Sequence, residues 1–285
     1  MLMRHPNPFK RKIYRYSHRL KDWRNIVSYG RRNIVFEKSD VAAVKYQMEA
    51  PEGVVGKRLV FFSDTHYLTP AVAERNQTIA DMIAELKPHI LVYGGDIVSF
   101  NCEINGFRDL LSRLPSGPVR LAMAGNWDRY KKFWYPTERH RNLYTEFEFD
   151  YLINRERTVE GIRFYGLDDI KAGFPYFNLT EKSDFTVLLA HNPDLVVEIG
   201  RRQNLRLIDL CLCGHTHGGQ VRLPWIGPVI ASSRYGVKFA YGRFKHDRTG
   251  AEMIVSSGLG CSIIPVRWNC QPEVILVEFI KKSLK

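Results

Sequence analysis

The feature that most constrains this chain is a repeated local pattern. Short apolar runs each stop in a small cluster of polar residues: "KRLVFFSDTH" at 57–66, "HILVYGGD" at 89–96, "PVRLAMAGNWD" at 118–128, "FTVLLAHN" at 185–192 and "LCLCGHTH" at 210–217. Runs of this length bounded by Gly, Asn and Asp read as buried strands rather than helices. Between the first three lie "NQTIADMIAELKP", a helix stopped by Pro88, and "NGFRDLLSRLPSG", a second helix. Strand–helix alternation predicts parallel pairing, and in such sheets ligands gather at the carboxyl ends of the strands. The second half reads differently. A hairpin is expected about Glu160-Gly161 in "RERTVEGIRFYGLDD", a strand, turn and helix in "FTVLLAHNPDLVVEI", and further strands in "AEMIVSSGLG" and "EVILVEFI". Residues 214–236 are dense in Gly and Pro and read as a long site-forming loop. There is no internal repeat.

With 285 residues, 45% of them hydrophobic, the chain can bury a sizeable core. Its net charge of +12 is unevenly placed: residues 1–45 hold twelve of the 42 Lys/Arg and three of the 30 Asp/Glu. The body is therefore nearly neutral, and the partner implied by charge belongs to an N-terminal arm, 1–45, ahead of a domain over 46–285. In the arm, Phe9, Ile13, Tyr16, Leu20, Trp23 and Val27 recur at helical spacing, with Asn7 as cap and Pro8 in the first turn. The other faces carry Lys10, Arg11, Lys12, Arg15, Arg19, Lys21 and Arg24. A basic amphipathic helical arm of this kind suits an anionic membrane surface. Docking on its own domain or on a second copy is the alternative, and a nucleic-acid partner is not expected because the body lacks further basic patches.

The five cysteines (102, 211, 213, 261, 270) show no framework spacing and read as reduced, mostly buried thiols. No run approaches spanning length, and no apolar stretch follows the basic start. The expected location is cytoplasmic, peripheral on the inner face of the cytoplasmic membrane.

Taken singly, Asp64-Thr65-His66, Asp96, Asn126, His191 and His215-Thr216-His217 each have a bland reading as turn or cap residues. Together they supply imidazole, carboxylate and amide oxygen, a donor set for Mn, Fe or Zn. Seven such groups can hold two ions if one carboxylate bridges. The glycines beside them let the backbone turn sharply.

The order D-x-H, G-D, G-N-x-D, H and G-H-x-H resembles the calcineurin-like metallophosphoesterases through most of 57–280. "GHTHGGQVRLPWIGP" and "SSGLG…PVRWNCQPEV" look like a membrane-associated bacterial branch. The resemblance implies an α/β fold, a four-layer α/β/β/α sandwich of two mixed sheets. It implies two divalent ions, manganese first with iron or zinc as alternatives. Asp64, His66 and His217 would hold one, Asn126, His191 and His215 the other, with Asp96 bridging and a hydroxide as nucleophile. Asp96, Asn126 and Asp128 would carry the catalytic work, Asp128 by orienting a ligand or, equally, as a turn cap. Trp127 and Arg129 are candidates for substrate contact.

Trp127 departs from the pattern, which has histidine there. An indole has no titratable proton to give a leaving group. Another residue could supply it, with His140, His246 and Arg129 as candidates, or the leaving group needs no help. A phosphate leaving from a pyrophosphate is such a group. With the membrane arm, this points to UDP-2,3-diacylglucosamine, cleaved to UMP and lipid X in lipid A biosynthesis, a known activity of the superfamily. Phe133, Trp134, Tyr135, Phe174, Tyr176, Phe177 and Trp225 could form an acyl cleft or simply be core. The alternatives are a phosphodiesterase acting on phospholipid headgroups, cyclic nucleotides or nucleic acid, and a non-catalytic membrane adaptor on the same fold.

Overall fold

Alternation along the strand at 58–62 dictates the layering. Leu59 and Phe61 point to one face, Val60 and Phe62 to the other, and all four are fully buried. A strand apolar on both faces needs a layer on each side. The computed structural model describes residues 23–26, 34–38, 40–67, 73–99, 104–129, 137–201 and 204–282. In chain order they form β1 (Trp23–Asn25), β2 (Ile34–Lys38), β3 (Val41–Ala50), β4 (Arg58–Phe62), α1 (Ala73–Glu85), β5 (Ile90–Tyr93), α2 (Ile104–Arg113), β6 (Val119–Ala122), α3 (Thr137–Glu146), β7 (Phe149–Tyr151), β8 (Arg155–Val159) and β9 (Ile162–Gly166). There follow β10 (Thr186–Leu189), α4 (Pro193–Arg201), β11 (Leu210–Cys213), the short pair β12 (Arg222–Leu223) and β13 (Gly227–Pro228), β14 (Gly242–His246), β15 (Glu252–Val255) and β16 (Glu273–Lys281).

Two seven-stranded mixed sheets result. One has the order β2-β3-β16-β4-β5-β6-β7 and the other β1-β14-β15-β11-β10-β9-β8. In the first, β4 to β7 run parallel, while β16 is antiparallel to β4 and parallel to β3. In the second, β15, β11, β10 and β9 run parallel, flanked by antiparallel β14 and β8. Three apolar cores separate four layers. Ile79, Ile83, Phe107, Leu111 and Tyr144 of the first three helices pack on Val60, Phe62 and Leu91. Leu59, Phe61 and Val92 meet Phe164, Val187 and Leu212 between the sheets. Leu195, Val196 and Ile199 of α4 cover Leu188, Cys211 and Met253. The expected four-layer α/β/β/α sandwich is what forms. The hairpin between β8 and β9 turns at Glu160 and Gly161, both at positive φ, as a two-residue loop requires.

The arm needs correction. Trp23 is not on a helix: β1 pairs antiparallel with β14, Trp23 opposite His246, and the indole is buried against Phe239 and His246. The edge of β14 offers unpaired backbone groups and a slot for a large ring, and together these outweigh helical periodicity at the end of the stripe. β2 and all of β3 also lie in the first sheet, so the boundary at 45 cuts through a strand, and the domain extends back to at least Trp23. Phe9, Ile13, Tyr16, Leu20 and Val27 lie outside the described residues. No helix among the described residues is long and apolar enough to cross a membrane. Cys211, Cys213 and Cys270 are buried and Cys261 half-buried, all as free thiols, and burial raises the pKa of Cys211 and Cys213.

Candidate metal centre

The loops after β4, β5, β6, β10 and β11 converge at the carboxyl ends of both sheets. Two clusters form there, Asp64–His66–His217 and Asp96–His191–His215, with the candidate ligand atoms of each within 4.8 Å of one another. Asp96 Oδ2 lies 3.4 Å from His66 Nε2 and 3.1 Å from His191 Nε2, so one carboxylate oxygen faces both clusters. That is the position a bridging ligand needs. Asp64 Oδ1 is 3.5 Å from His217 Nε2 and 3.8 Å from His66 Nε2. His215 Nδ1 is 3.3 Å from His191 Nε2. The structure thus brings Asp64, His66 and His217 together, and His191 and His215 together with Asp96.

Second contacts orient the rings. His191 Nδ1 donates to the Gly94 carbonyl at 2.7 Å, which turns Nε2 toward Asp96. His66 Nδ1 lies 2.8 Å from Ser99 Oγ, with Nε2 turned inward. His66 Nε2 and Asn126 Oδ1 are buried and lack any hydrogen-bond partner. Buried acceptors of this kind are costly unless something fills them. Orphaned nitrogen and amide oxygen in a site with two buried carboxylates fit a pair of divalent cations.

The cradle is held in an unfavourable backbone. Asp64, His66, Asp96, His215 and His217 all have positive φ. Left-handed backbone at bulky residues is retained only where surrounding structure over-determines it. Here Asp64 N–H donates to Gly95 O at 2.9 Å and His66 N–H to Asp96 O at 3.2 Å. Asp64 carboxylate oxygens accept from His215 N–H at 3.0 Å and Ser63 Oγ at 2.5 Å. Gly125 and Gly214 are required for close approach more than for flexibility. A Cβ on either would fall 2.1 Å from Asp96 Oδ1 or 2.2 Å from Asp64 Oδ2.

Asp128 is a positioning residue rather than a catalytic one. Its oxygens accept from Asp96 N–H at 2.8 Å, Ile97 N–H at 3.0 Å and Gly125 N–H at 2.8 Å, tying the Asp96 and Asn126 loops together. Trp127 gives its backbone N–H to Asp96 Oδ1 at 2.8 Å, and its half-buried indole meets the His66 ring edge-on at 6.0 Å. Of the alternative proton donors, Arg129 is ion-paired to Asp168 at 2.7 Å. His140 lies behind Asp128, 3.9 Å from its carboxylate, and burial lowers its pKa. His246 packs against Trp23 and Thr249. None of the three is placed by these contacts among the ligand side chains.

Electrostatics within the cluster are strongly coupled. Burial raises Asp64 above the ordinary carboxylate range. Burial also opposes ionisation of Asp96, yet His191 and His66 beside it hold that carboxyl well below the usual range. Burial disfavours the charged form of His191, but Asp96 and Asp64 carry its pKa up to about 10. Burial pushes His215 and His217 well below the ordinary imidazole value.

The sequence reading missed the loop after β9. Lys171 Nζ sits 2.6 Å from His215 Nε2, and Asp169 is buried with its carboxyl raised to about 6 by burial. Asp168 accepts from Arg129 and from Phe174 N–H at 2.9 Å. The signal was present: "RFYGLDDIK" is another apolar run ending in acids. Of the aromatic residues considered for an acyl cleft, Trp225 lines a cavity beside His66, Phe174 and Tyr176 are exposed, and Phe177 packs on Tyr165. Phe133, Trp134 and Tyr135 lie outside the described residues.

Comparison with known families agrees with the geometry. A model of the calcineurin-like phosphoesterases matches residues 57–219, more than half the chain. The chain belongs to that family. This phosphoesterase is 31% identical to the metallophosphoesterase YkuE of Bacillus subtilis over 236 residues, 79% of each chain. It is also 31% identical to the phosphodiesterase YaeI of Escherichia coli over 242 residues, 78% of this chain and 82% of that one. Among solved structures, the NAD nucleotidase of Haemophilus influenzae superposes with a TM-score of 0.43 at 16% identity, over 71% of this chain and 45% of the other. The phosphoesterase is thus a metal-dependent phosphoester hydrolase with two candidate metal sites, and the adaptor alternative is set aside.

Proposed function

We propose that this phosphoesterase cleaves the pyrophosphate of UDP-2,3-diacylglucosamine, releasing UMP and lipid X, at the inner face of the cytoplasmic membrane, with manganese as its cation. The observation that carries the reading is a cavity of about 1250 Å³ whose lining includes His66, Trp225 and Ile226. Arg75, Arg222 and Arg267 line it against one acid, Asp40, so its walls combine positive charge for an anion with apolar surface from Trp225 and Ile226. Trp127 supports the same class, since the position beside His66 holds no proton donor for a poor leaving group.

A pair of divalent cations, when bound, supplies a water of lowered pKa and neutralises phosphoryl charge. Asp64, His66, Asp96, Asn126, His191, His215 and His217 would hold them. The chain itself sets the geometry: Asp128 fixes the loop of Asp96, Gly94 O orients the His191 ring, and Trp127 packs edge-on to His66. The test is product analysis with UDP-2,3-diacylglucosamine in detergent micelles, with Mn²⁺ and with chelator. Chelator-sensitive UMP release is expected. Metal-dependent turnover of an aryl phosphodiester with no UMP release would discard the lipid substrate. It would favour the second reading, a phosphodiesterase of other specificity, which the similarity to YaeI supports.

A further inference from the structure

Beyond the catalytic loops, two segments invert the usual burial pattern. Trp225, Ile226 and Ile230 on one, and Ile263, Ile264 and Trp268 on the other, are exposed, with Trp225 fully so. A patch of adjoining large apolar side chains on one surface marks an interaction site rather than scatter. The two segments form one platform. Val221 bridges to Trp268, Arg222 N–H donates to Trp268 O at 3.0 Å, and Trp268 N–H donates to Gln220 O at 2.9 Å. The Gln220 amide donates to Ile264 O at 3.0 Å and accepts from Ser262 N–H at 2.6 Å. Gln220 follows directly on the loop of His215 and His217, so the platform is joined to the metal centre by covalent chain.

Backbone conformation adds an independent observation. Among the described non-glycine residues at positive φ, only Trp225 and Ile263 are apolar. Glycine would be the unstrained choice at either loop position, and a β-branched residue there is an outlier. At these two places the chain holds a strained conformation that presents a large apolar group to solvent.

We infer that this platform is an interfacial docking surface that seats the cavity mouth on an anionic lipid bilayer. Charge selects the occupant. Neither 219–246 nor 257–272 contains an acidic residue, and exposed Arg234 and half-buried Lys238 follow the first loop. A second copy docked face to face would meet no acidic group in either loop, so nothing would offset their positive charge. Anionic headgroups would attract them, while tryptophan rings and isoleucines enter the acyl boundary. Trp225 and Ile226 of the platform also line the cavity of His66, Arg75 and Arg267, so docking of the platform would bring that cavity to the lipid. The inference rests on the hydrolase reading only in taking His66 to mark the reaction centre.

The test uses the full chain and vesicles without substrate, so it stands apart from any result with UDP-2,3-diacylglucosamine. Vesicles of phosphatidylcholine with phosphatidylglycerol, bearing brominated acyl chains, report tryptophan insertion by quenching. Trp225→Phe with Trp268→Phe should lose more than half of the quenching. Ile230→Gln, Ile263→Gln and Ile264→Gln together should weaken vesicle partition at least tenfold. Turnover of a soluble aryl phosphodiester should stay normal in that triple variant, which also verifies its folding. Undiminished quenching in the phenylalanine variant would overturn the inference. So would a wild-type dimer in solution that the triple variant converts to monomer.

Discussion

The metal cradle and the apolar platform beside it are opposites built the same way. Both carry bulky residues at positive φ, and both are stitched by side-chain contacts to backbone: Asp128 for the cradle, Gln220 for the platform. The cradle buries carboxylates and imidazoles, and the platform exposes isoleucine and tryptophan. Ordinary folding energetics favour neither arrangement, since charge resists burial and apolar surface resists water. Two adjoining regions that each run against burial preference both contribute to the lining of one cavity, through His66 and through Trp225 and Ile226.

The comparison breaks most decisively at the cradle. Asp96→Ala or His215→Ala should lower aryl phosphodiester turnover by about a thousandfold or more, with metal content falling in parallel by elemental analysis. Near-normal turnover in either would remove the ligand assignment. The platform predicts no such loss for its own substitutions, so the two regions separate cleanly.

Asp128→Ala should cut turnover about 10- to 100-fold, because Asp96 loses its positioning contacts. Three buried N–H groups would lose their acceptor, and the fold should weaken by about 3 kcal/mol in denaturant unfolding. Asp128→Asn should rescue little, since an amide presents donors where the loop needs acceptors. Full activity in the alanine variant would mean that the Asp96 loop holds itself.

Proton linkage sharpens the same site. In the cation-free chain His191 is protonated below about 10, because Asp96 and Asp64 overcome the burial that opposes its charge. A cation must displace that proton, so uptake near neutral pH should release it. Affinity should fall about tenfold per unit of pH lowered, from this group alone. Calorimetric titration in two buffers of different ionisation enthalpy reads the proton directly, and pH-independent binding would contradict the coupling.

The smallest expected effect is at Trp127. Trp127→His should raise turnover of alkyl phosphomonoesters several-fold and leave anhydride cleavage nearly unchanged. If steady-state rates on both substrates are unaltered, the leaving-group explanation of this tryptophan fails.

The seven candidate ligand positions were legible as residues because each lies just past a strand end. The continuous apolar run Leu59, Val60, Phe61 and Phe62 likewise read as a strand, and the structure buries it on both faces. Asp128 was ambiguous in sequence, since a turn cap and a clamp use the same carboxylate. Only the approach of the Asp96 loop distinguishes them. Lys171 was overlooked because its contact with His215 joins residues far apart in the chain.

By itself the sequence determined the strand–helix alternation and the donor chemistry of the site, because these depend on hydrophobic periodicity and on side-chain type. Tertiary structure alone decided that Trp23 is an edge strand rather than the end of a helical stripe. It also brought 220–230 and 262–268 together as one exposed platform. Edge pairing and loop docking are contacts between distant segments, and their energies outweigh local periodicity without leaving a local mark in the chain.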